Sequence, residues 1–303
     1  MKPTTQVGVV GVGLMGHGIA SNIAKHGYPL SLLEHPGNQP IDQLKAAGAR
    51  TYVRGSELAA AVDVLILCVT GTPQVEAVLL GEGGVLQGLR PGAVIIDCST
   101  AIPSSTERLA ARVRDAGGRF MDAAMTRTPR EAAEGRLNLL VGGDAALLEE
   151  QRPLLACFAE NITHIGPVGA GHRMKLLHNY VSLGSVALIA EAAACAQRTG
   201  TAAETFIQIL NQGGGAGTAL ERIKPFLLSG DPNGLRFTVS NAMKDLGYYV
   251  AMAGDSEVAC DIAKAVHDTL ESAVKENPAA LMPELVALLA DAGAAHAPAA
   301  PRG

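Results

Sequence analysis

Two stretches of this sequence carry chemistry-bearing residues at telling spacings. The first is Gly11-Val12-Gly13-Leu14-Met15-Gly16, which follows a β-branched run at 6–11 and opens an apolar helical pattern over 14–25. Between a strand and a helix, glycines so spaced form a pyrophosphate cradle. Gly11 permits the tight turn, Gly13 lets phosphates approach the backbone, and Gly16 lets the helix pack closely on the strand. The helix start adds N–H groups and partial positive charge. A plain glycine turn is the competing reading, and the flanking strand and helix weigh against it. The second stretch, 169–182, opens a long helix. Lys175, His178, Asn179 and Ser182 stand at i, i+3, i+4 and i+7 and share one face, while Met174, Leu177 and Val181 lie on another. Buried polar groups are costly when unpaired, so such a stripe on an apolar helix points to a site that it lines. A solvated face is the alternative, and the apolar run at 183–196 weighs against it.

These residues need elements to position them. Strand patterns at 29–34, 50–53, 62–69, 93–97, 119–122, 138–142 and 162–165 alternate with helical patterns at 40–47, 56–61, 73–80, 103–116 and 145–157. That rhythm calls for a mostly parallel sheet with helices on both faces. From 169 on there is no convincing strand. A helix at 170–199 is followed by helical patterns at 202–211, 217–228, 239–254, 256–275 and 280–292. The predicted architecture is an α/β domain over 1–166 and an all-α domain over 167–303, joined by the long helix. The Ala/Pro-rich tail at 294–303 is expected to be flexible.

Composition narrows the function classes. The chain has 303 residues, 48% apolar and 17% charged, which argues for a globular fold with a sizeable core. Aromatics make up 3%, with no Trp, and the net charge is −5 with neither half basic. These features exclude a stacking platform for nucleic acid and argue against duplex nucleic acid or a membrane surface as partner. Cys68, Cys98, Cys157, Cys195 and Cys260 are scattered without a CxxC, as expected for reduced, mostly buried thiols in a cytoplasmic protein. The apolar N-terminus is broken by glycines and lacks the form of a signal peptide. The stretch at 181–196 carries Glu191 and suits a core helix, not a membrane span. No HExxH or paired CxxC is present, so no metal site is expected.

Glu34 ends the second strand about 20 residues after Gly13, where a carboxylate binds the ribose hydroxyls and repels a 2′-phosphate. His35-Pro36-Gly37 follows with no Arg or Lys, which favours NAD over NADP. The alternative is a solvated Glu34, with His35 carrying the discrimination.

The motifs GVGLMG (11–16), DCST (97–100) with Pro103, DAAMTRTPREAAEGRLNLLVGG (122–143), GAGHRMKLLHN (169–179) and MKDLG (243–247) occur in the order and spacing of one family. Over nearly its whole length the sequence resembles the β-hydroxyacid dehydrogenases, which include 3-hydroxyisobutyrate dehydrogenase and tartronate semialdehyde reductase. The resemblance implies a Rossmann-type N-terminal domain and a helical C-terminal domain that builds homodimers or homotetramers. It implies Lys175 as the catalytic lysine and Asn179 as the residue that holds substrate. Val69 and Thr70 match the loop beside the adenosine, and Ser99 and Thr100 the loop near the nicotinamide. Lys244 and Asp245 match a pair that closes over the site.

One segment departs from the family. Where its members read DAPVSGG, with two glycines at the substrate acid, this sequence has Asp122-Ala-Ala-Met-Thr126-Arg127-Thr128. An arginine there suggests a side-chain clamp on an anion, bidentate and charge-assisted. The sulfolactaldehyde reductases, which also act on succinic semialdehyde, resemble this arrangement, and Arg127 and Ser182 match two of their three sulfonate-binding positions. His178 replaces the third, an asparagine. For Arg127 the alternative is an ion pair with Glu131 or Glu134; for His178 it is a packed core histidine. Arg130 and Arg136 suit solvated turns, and His172 an exposed helix start. Arg173 and Lys244 are candidate cationic neighbours of Lys175.

The expected activity is NAD(H)-dependent interconversion of a small anionic semialdehyde, carboxylate or sulfonate, with its hydroxyacid. Arg127 would bind the anion with Thr126, His178 and Ser182. The alternatives are a 3-hydroxyisobutyrate or tartronate semialdehyde enzyme, an imine reductase, which Lys175 argues against, and a non-catalytic dinucleotide sensor.

Overall fold

The computed structural model describes residues 4–295, and the chain divides into two compact units, Met1–Lys175 and Leu176–Gly303. The flexible tail expected at 294–303 lies outside the described residues from 296 on; Ala294 and Ala295 still belong to the last helix.

The first unit is built on eight strands: β1 (Val7–Val10), β2 (Leu30–Leu33), β3 (Arg50–Tyr52), β4 (Val64–Leu67), β5 (Val94–Asp97), β6 (Arg119–Thr126), β7 (Leu137–Gly142) and β8 (Ala159–Gly166). They form one sheet in the order β3-β2-β1-β4-β5-β6-β7-β8, and every pair is parallel except β6 with β7. Every residue of β1, β4 and β5 is buried, which is why these strands are unbroken or nearly unbroken Val/Ile/Leu runs. The connecting helices are α1 (Leu14–Lys25), α2 (Asp42–Ala46), α3 (Gly55–Ala61), α4 (Thr72–Leu80), α5 (Pro103–Asp115), α6 (Pro129–Ala133) and α7 (Ala145–Leu155). Two apolar cores result. One gathers Ile19, Ile23, Leu32, Ile66, Met121 and Phe158, the other Leu58, Leu65, Val75, Leu79 and Ile95. The strand order reverses between β1 and β4, the place where sheets of this kind open a ligand crevice beyond the strand ends.

The long helix α8 (Ala170–Arg198) begins in the first unit and continues into the second. The second unit adds α9 (Ala203–Asn211), α10 (Thr218–Ser229), α11 (Val239–Asp255), α12 (Asp261–Glu276) and α13 (Leu285–Ala295). Its core joins Leu183, Val186 and Ala190 of α8 to Ile223, Leu246 and Leu270. The Ala-rich part of α8 thus packs on its own unit. By length and composition α8 could cross a membrane; its buried face marks it as a core helix.

Several elements differ from the sequence expectation. β6 and β8 run longer than 119–122 and 162–165. Helix α6 was not anticipated, although Pro129 at its start and the Thr128–Glu131 capping box are both helix-start signals. The helix expected from 256 begins at Asp261, because Glu257 adopts a left-handed φ of 54° and breaks the run. The pattern at 280–292 splits into a 3-10 turn at Met282–Glu284 and α13. The cysteines are all free, but only Cys98 and Cys157 are fully buried; Cys68 and Cys260 are half-buried and Cys195 is exposed.

Candidate functional site

The glycine loop lies at the β1/β4 reversal. Gly11 takes a φ of +87°, and a Cβ there would strike the Cys68 carbonyl and approach Val69 Cγ1 at 2.9 Å. At Gly16 a Cβ would strike the Gly11 carbonyl, while a Cβ on Gly13 would meet nothing within 4 Å. Gly13 is also the N-cap of α1, and no side chain caps that helix. An open glycine before an uncapped helix start, leading into Leu14 and Met15, fits a pyrophosphate. Asn38, which sequence reasoning missed, fixes this loop. Its Oδ1 accepts the Val12 N–H at 3.1 Å, and its Nδ2 donates to the Leu33 carbonyl at 3.0 Å.

Glu34 follows β2 and is partly exposed. Lys45 on α2 lies 3.0 Å from its carboxylate, and bonds from Lys45 and Thr51 hold its pKa below the usual range. The residues just after Glu34 carry no cation, but the fold supplies one from α2. His35 is exposed, its Nδ1 accepting the Gly37 N–H at 3.0 Å.

Beneath the neighbouring loops runs a buried polar network. Val69, next to Thr70, donates its N–H to Ser99 Oγ at 3.0 Å, and the Ser99 N–H, next to Thr100, donates to Asp97 Oδ1 at 2.9 Å. Asp122 on β6 accepts two backbone N–H groups, Gly169 at 2.7 Å and His172 at 2.8 Å, and so ties the start of α8 to the sheet. His172 is fully buried, which corrects the expectation of an exposed helix start. Its Nδ1 bonds to Thr106 Oγ1 at 2.7 Å, and its Nε2 faces Asp97 Oδ2 at 4.0 Å. Neither of these two facing atoms has a hydrogen-bond partner among the described residues. Burial pushes the Asp97 carboxyl above its usual range, opposed by His172 and by the bonds from Ser99. Burial likewise drives the Cys98 thiol well above its ordinary value, so it is no thiolate nucleophile. Arg173 pairs with Glu107 at 3.1 Å.

Between Lys175 and Leu188, α8 departs in part from the usual amphipathic order. Asn179 is buried and Lys175 and Ser182 are half-buried, whereas Leu177, Val181 and Leu188 are exposed, Val181 by 66%. His178 is exposed at the edge of the polar stripe, which excludes a packed core histidine. Asn179 Nδ2 donates to Asp245 Oδ2 at 2.6 Å, and its Oδ1 lies 3.0 Å from His178 Nδ1. Asp245 thereby fixes the amide orientation, which makes His178 Nδ1 the donor and leaves Asn179 a second N–H. Asp245, only 3% exposed, also lies 2.9 Å from Lys244 Nζ, out of line for a hydrogen bond, and that ammonium sits 5.3 Å from the Tyr248 ring centroid. Ser182 Oγ accepts a hydrogen bond from Arg222 Nη1 at 3.1 Å.

The end of β6 holds the remaining candidates. Thr126 Oγ1 accepts from Asn138 Nδ2 at 3.1 Å. Arg127 takes a φ of 81°, so the backbone keeps a glycine-like conformation that strains a side chain. Its guanidinium bonds Glu160 and the Arg136 carbonyl, not Glu131 or Glu134. Thr128 caps α6, its hydroxyl donating to Glu131 at 2.5 Å. Arg130 and Arg136 both pair with Glu134 at the surface. No group of three potential metal ligands is assembled among the described residues.

Comparison with known proteins adds an independent line. Residues 6–166 match the NAD binding domain of 6-phosphogluconate dehydrogenase, and 169–288 match the NAD-binding model of NADP-dependent 3-hydroxyisobutyrate dehydrogenase. The chain is 32% identical to 2-(hydroxymethyl)glutarate dehydrogenase of Eubacterium barkeri over 251 residues, 82% of each chain. It is 33% identical to the NAD-dependent L-serine dehydrogenase of Pseudomonas aeruginosa over 221 residues, 73% of this chain and 74% of the relative. In fold it is similar to a solved 3-hydroxyisobutyrate dehydrogenase of Mycobacterium tuberculosis, with a TM-score of 0.83 and 23% identity, covering 95% of this chain and 99% of that one.

Replacing Asp122 with Ala leaves two buried N–H groups without acceptors. The expected cost is about 2–5 kcal/mol of stability, read as a lowered urea midpoint. An unchanged midpoint would show that the start of α8 is held by something else.

Proposed function

Because the chain belongs to the β-hydroxyacid dehydrogenase family, whose members are NAD-dependent oxidoreductases acting on CH–OH, we propose that it interconverts a small anionic semialdehyde and the matching hydroxyacid. The observation that carries this reading is the polar stripe of α8, with Lys175 and Ser182 half-buried and the buried Asn179 bonded to Asp245. The two named relatives are dehydrogenases of 2-(hydroxymethyl)glutarate and of L-serine, both small molecules that carry an acid group.

Residues 1–166 bind the dinucleotide, and 167–303 hold substrate and assemble subunits. The glycine loop receives the pyrophosphate, Val69 and Thr70 border the adenosine, and Ser99 and Thr100 border the nicotinamide. Glu34 and His35 favour NAD over NADP: the Lys45 ammonium is already paired with Glu34 and is not free to meet a 2′-phosphate. When bound, the nicotinamide supplies the hydride for reduction or takes it in oxidation. Lys175 gives its proton to the nascent alkoxide in reduction and takes it back in oxidation. Asn179 uses its remaining N–H to hold that oxygen, and Lys244 with Asp245 fixes the asparagine. Thr126, Arg127, Thr128, His178 and Ser182 are the candidates for the acid group, though Arg127 reaches it only by releasing Glu160.

The exposed apolar residues Leu177, Val181 and Leu188 share α8 with this stripe. We assign them to a homodimer or homotetramer contact, in a cytoplasmic protein with small-molecule partners and neither nucleic acid nor membrane. Light scattering is expected to give a multiple of 31 kDa; a 31 kDa monomer would contradict the assignment.

Lys175→Ala is expected to lose about 10²–10⁴-fold in kcat with NADH affinity retained. NADH oxidation at 340 nm with succinic semialdehyde, sulfolactaldehyde, methylmalonate semialdehyde and tartronate semialdehyde reads it. Undiminished turnover by the variant would remove the lysine from the chemistry.

A further inference from the structure

Arg127 is engaged twice, by Glu160 and by a backbone carbonyl, so the charge expected to meet the substrate acid is already neutralised. The fold offers another. Arg222 on α10 is half-buried, and its one hydrogen bond goes to Ser182 on α8. Among the described residues it is the half-buried arginine with no carboxylate in ion-pair range; the adjacent Glu221 pairs with Lys224 at 3.6 Å. A partly desolvated guanidinium with most of its donors unused is a standing receptor for an oxyanion.

Its placement is fixed. The buried Leu220 and Ile223 anchor α10, and a Cβ at Gly234 would strike the Arg222 carbonyl, so that turn closes tightly on the helix. At 1.5 Å rise per residue, Ser182 lies about 10 Å along α8 from Lys175, with Asn179 between them.

We propose that Arg222, oriented by Ser182, binds the substrate's acid group. This deepens the function proposed above and rests on Lys175 working at the carbinol oxygen.

The test is calorimetric, on NADH-saturated protein, where an alcohol binds without turnover. The probes are 4-hydroxybutyrate and its uncharged counterpart 1,4-butanediol. The wild type is expected to bind 4-hydroxybutyrate about 30-fold more tightly than the diol, the scale of a charge-assisted hydrogen bond. Arg222→Met should bring the two within about 3-fold, while Arg222→Lys keeps most of the preference because the charge remains. Ser182→Ala, which frees the guanidinium, should weaken the preference and reads the same subsite should Arg222→Met fail to fold. An acid-to-diol ratio unchanged in Arg222→Met, or in Ser182→Ala if that variant has to serve, would overturn the proposal. Because binding is read without turnover, the result stands apart from that of Lys175→Ala: an active Lys175→Ala removes the lysine reading and leaves the ratio to judge Arg222.

Discussion

Everything proposed for this chain depends on where the long helix begins, and one carboxylate sets that point. Asp122 accepts the N–H groups of Gly169 and His172, the orphan donors of a helix start, so that β6 and α8 are bound at a single place. The surroundings admit no side chain. A Cβ on Gly142 would lie 2.5 Å from Asp122 Oδ1, and one on Gly171 would lie 2.8 Å from Asp122 Oδ2 and strike the Leu140 carbonyl. Lys175 stands one turn beyond His172, so its origin is as rigid as this contact.

The buried network extends the constraint to the loops. Through Asp97, Ser99 and Val69, the ends of β4 and β5 are bonded to each other, and His172 with Thr106 brings α5 against the same point. Buried polar groups are costly when unmet, and a network of them specifies one arrangement of the loops around it. The glycine loop has its own tie through Asn38. The loops proposed to meet the cofactor and the helix proposed to carry the proton donor thus share one frame, which suits chemistry that depends on orientation.

The fold was legible where local signals are strong. Helix α1 was expected over 14–25 and is Leu14–Lys25, because a glycine turn and an apolar period mark both ends. The buried strands announced themselves as Val/Ile/Leu runs. Of the candidate site, the glycine loop and the α8 stripe were visible because their residues are neighbours in sequence. The partners were not. His172 is buried by Thr106 and Asp97, Arg127 is claimed by Glu160, Glu34 by Lys45 and Ser182 by Arg222; most of these pairs are separated by tens of residues, and no periodicity encodes them. Sequence patterns reveal which residues can act, and tertiary pairing decides which of them remain available.

The central claim is that Lys175 meets the reacting oxygen. A crystal structure of the ternary complex with NAD and 4-hydroxybutyrate tests it most directly. The account predicts Lys175 Nζ within about 2.6–3.2 Å of the carbinol oxygen, with Asn179 Nδ2 donating to the same atom. A lysine directed away from that oxygen, with another side chain in its place, would contradict it.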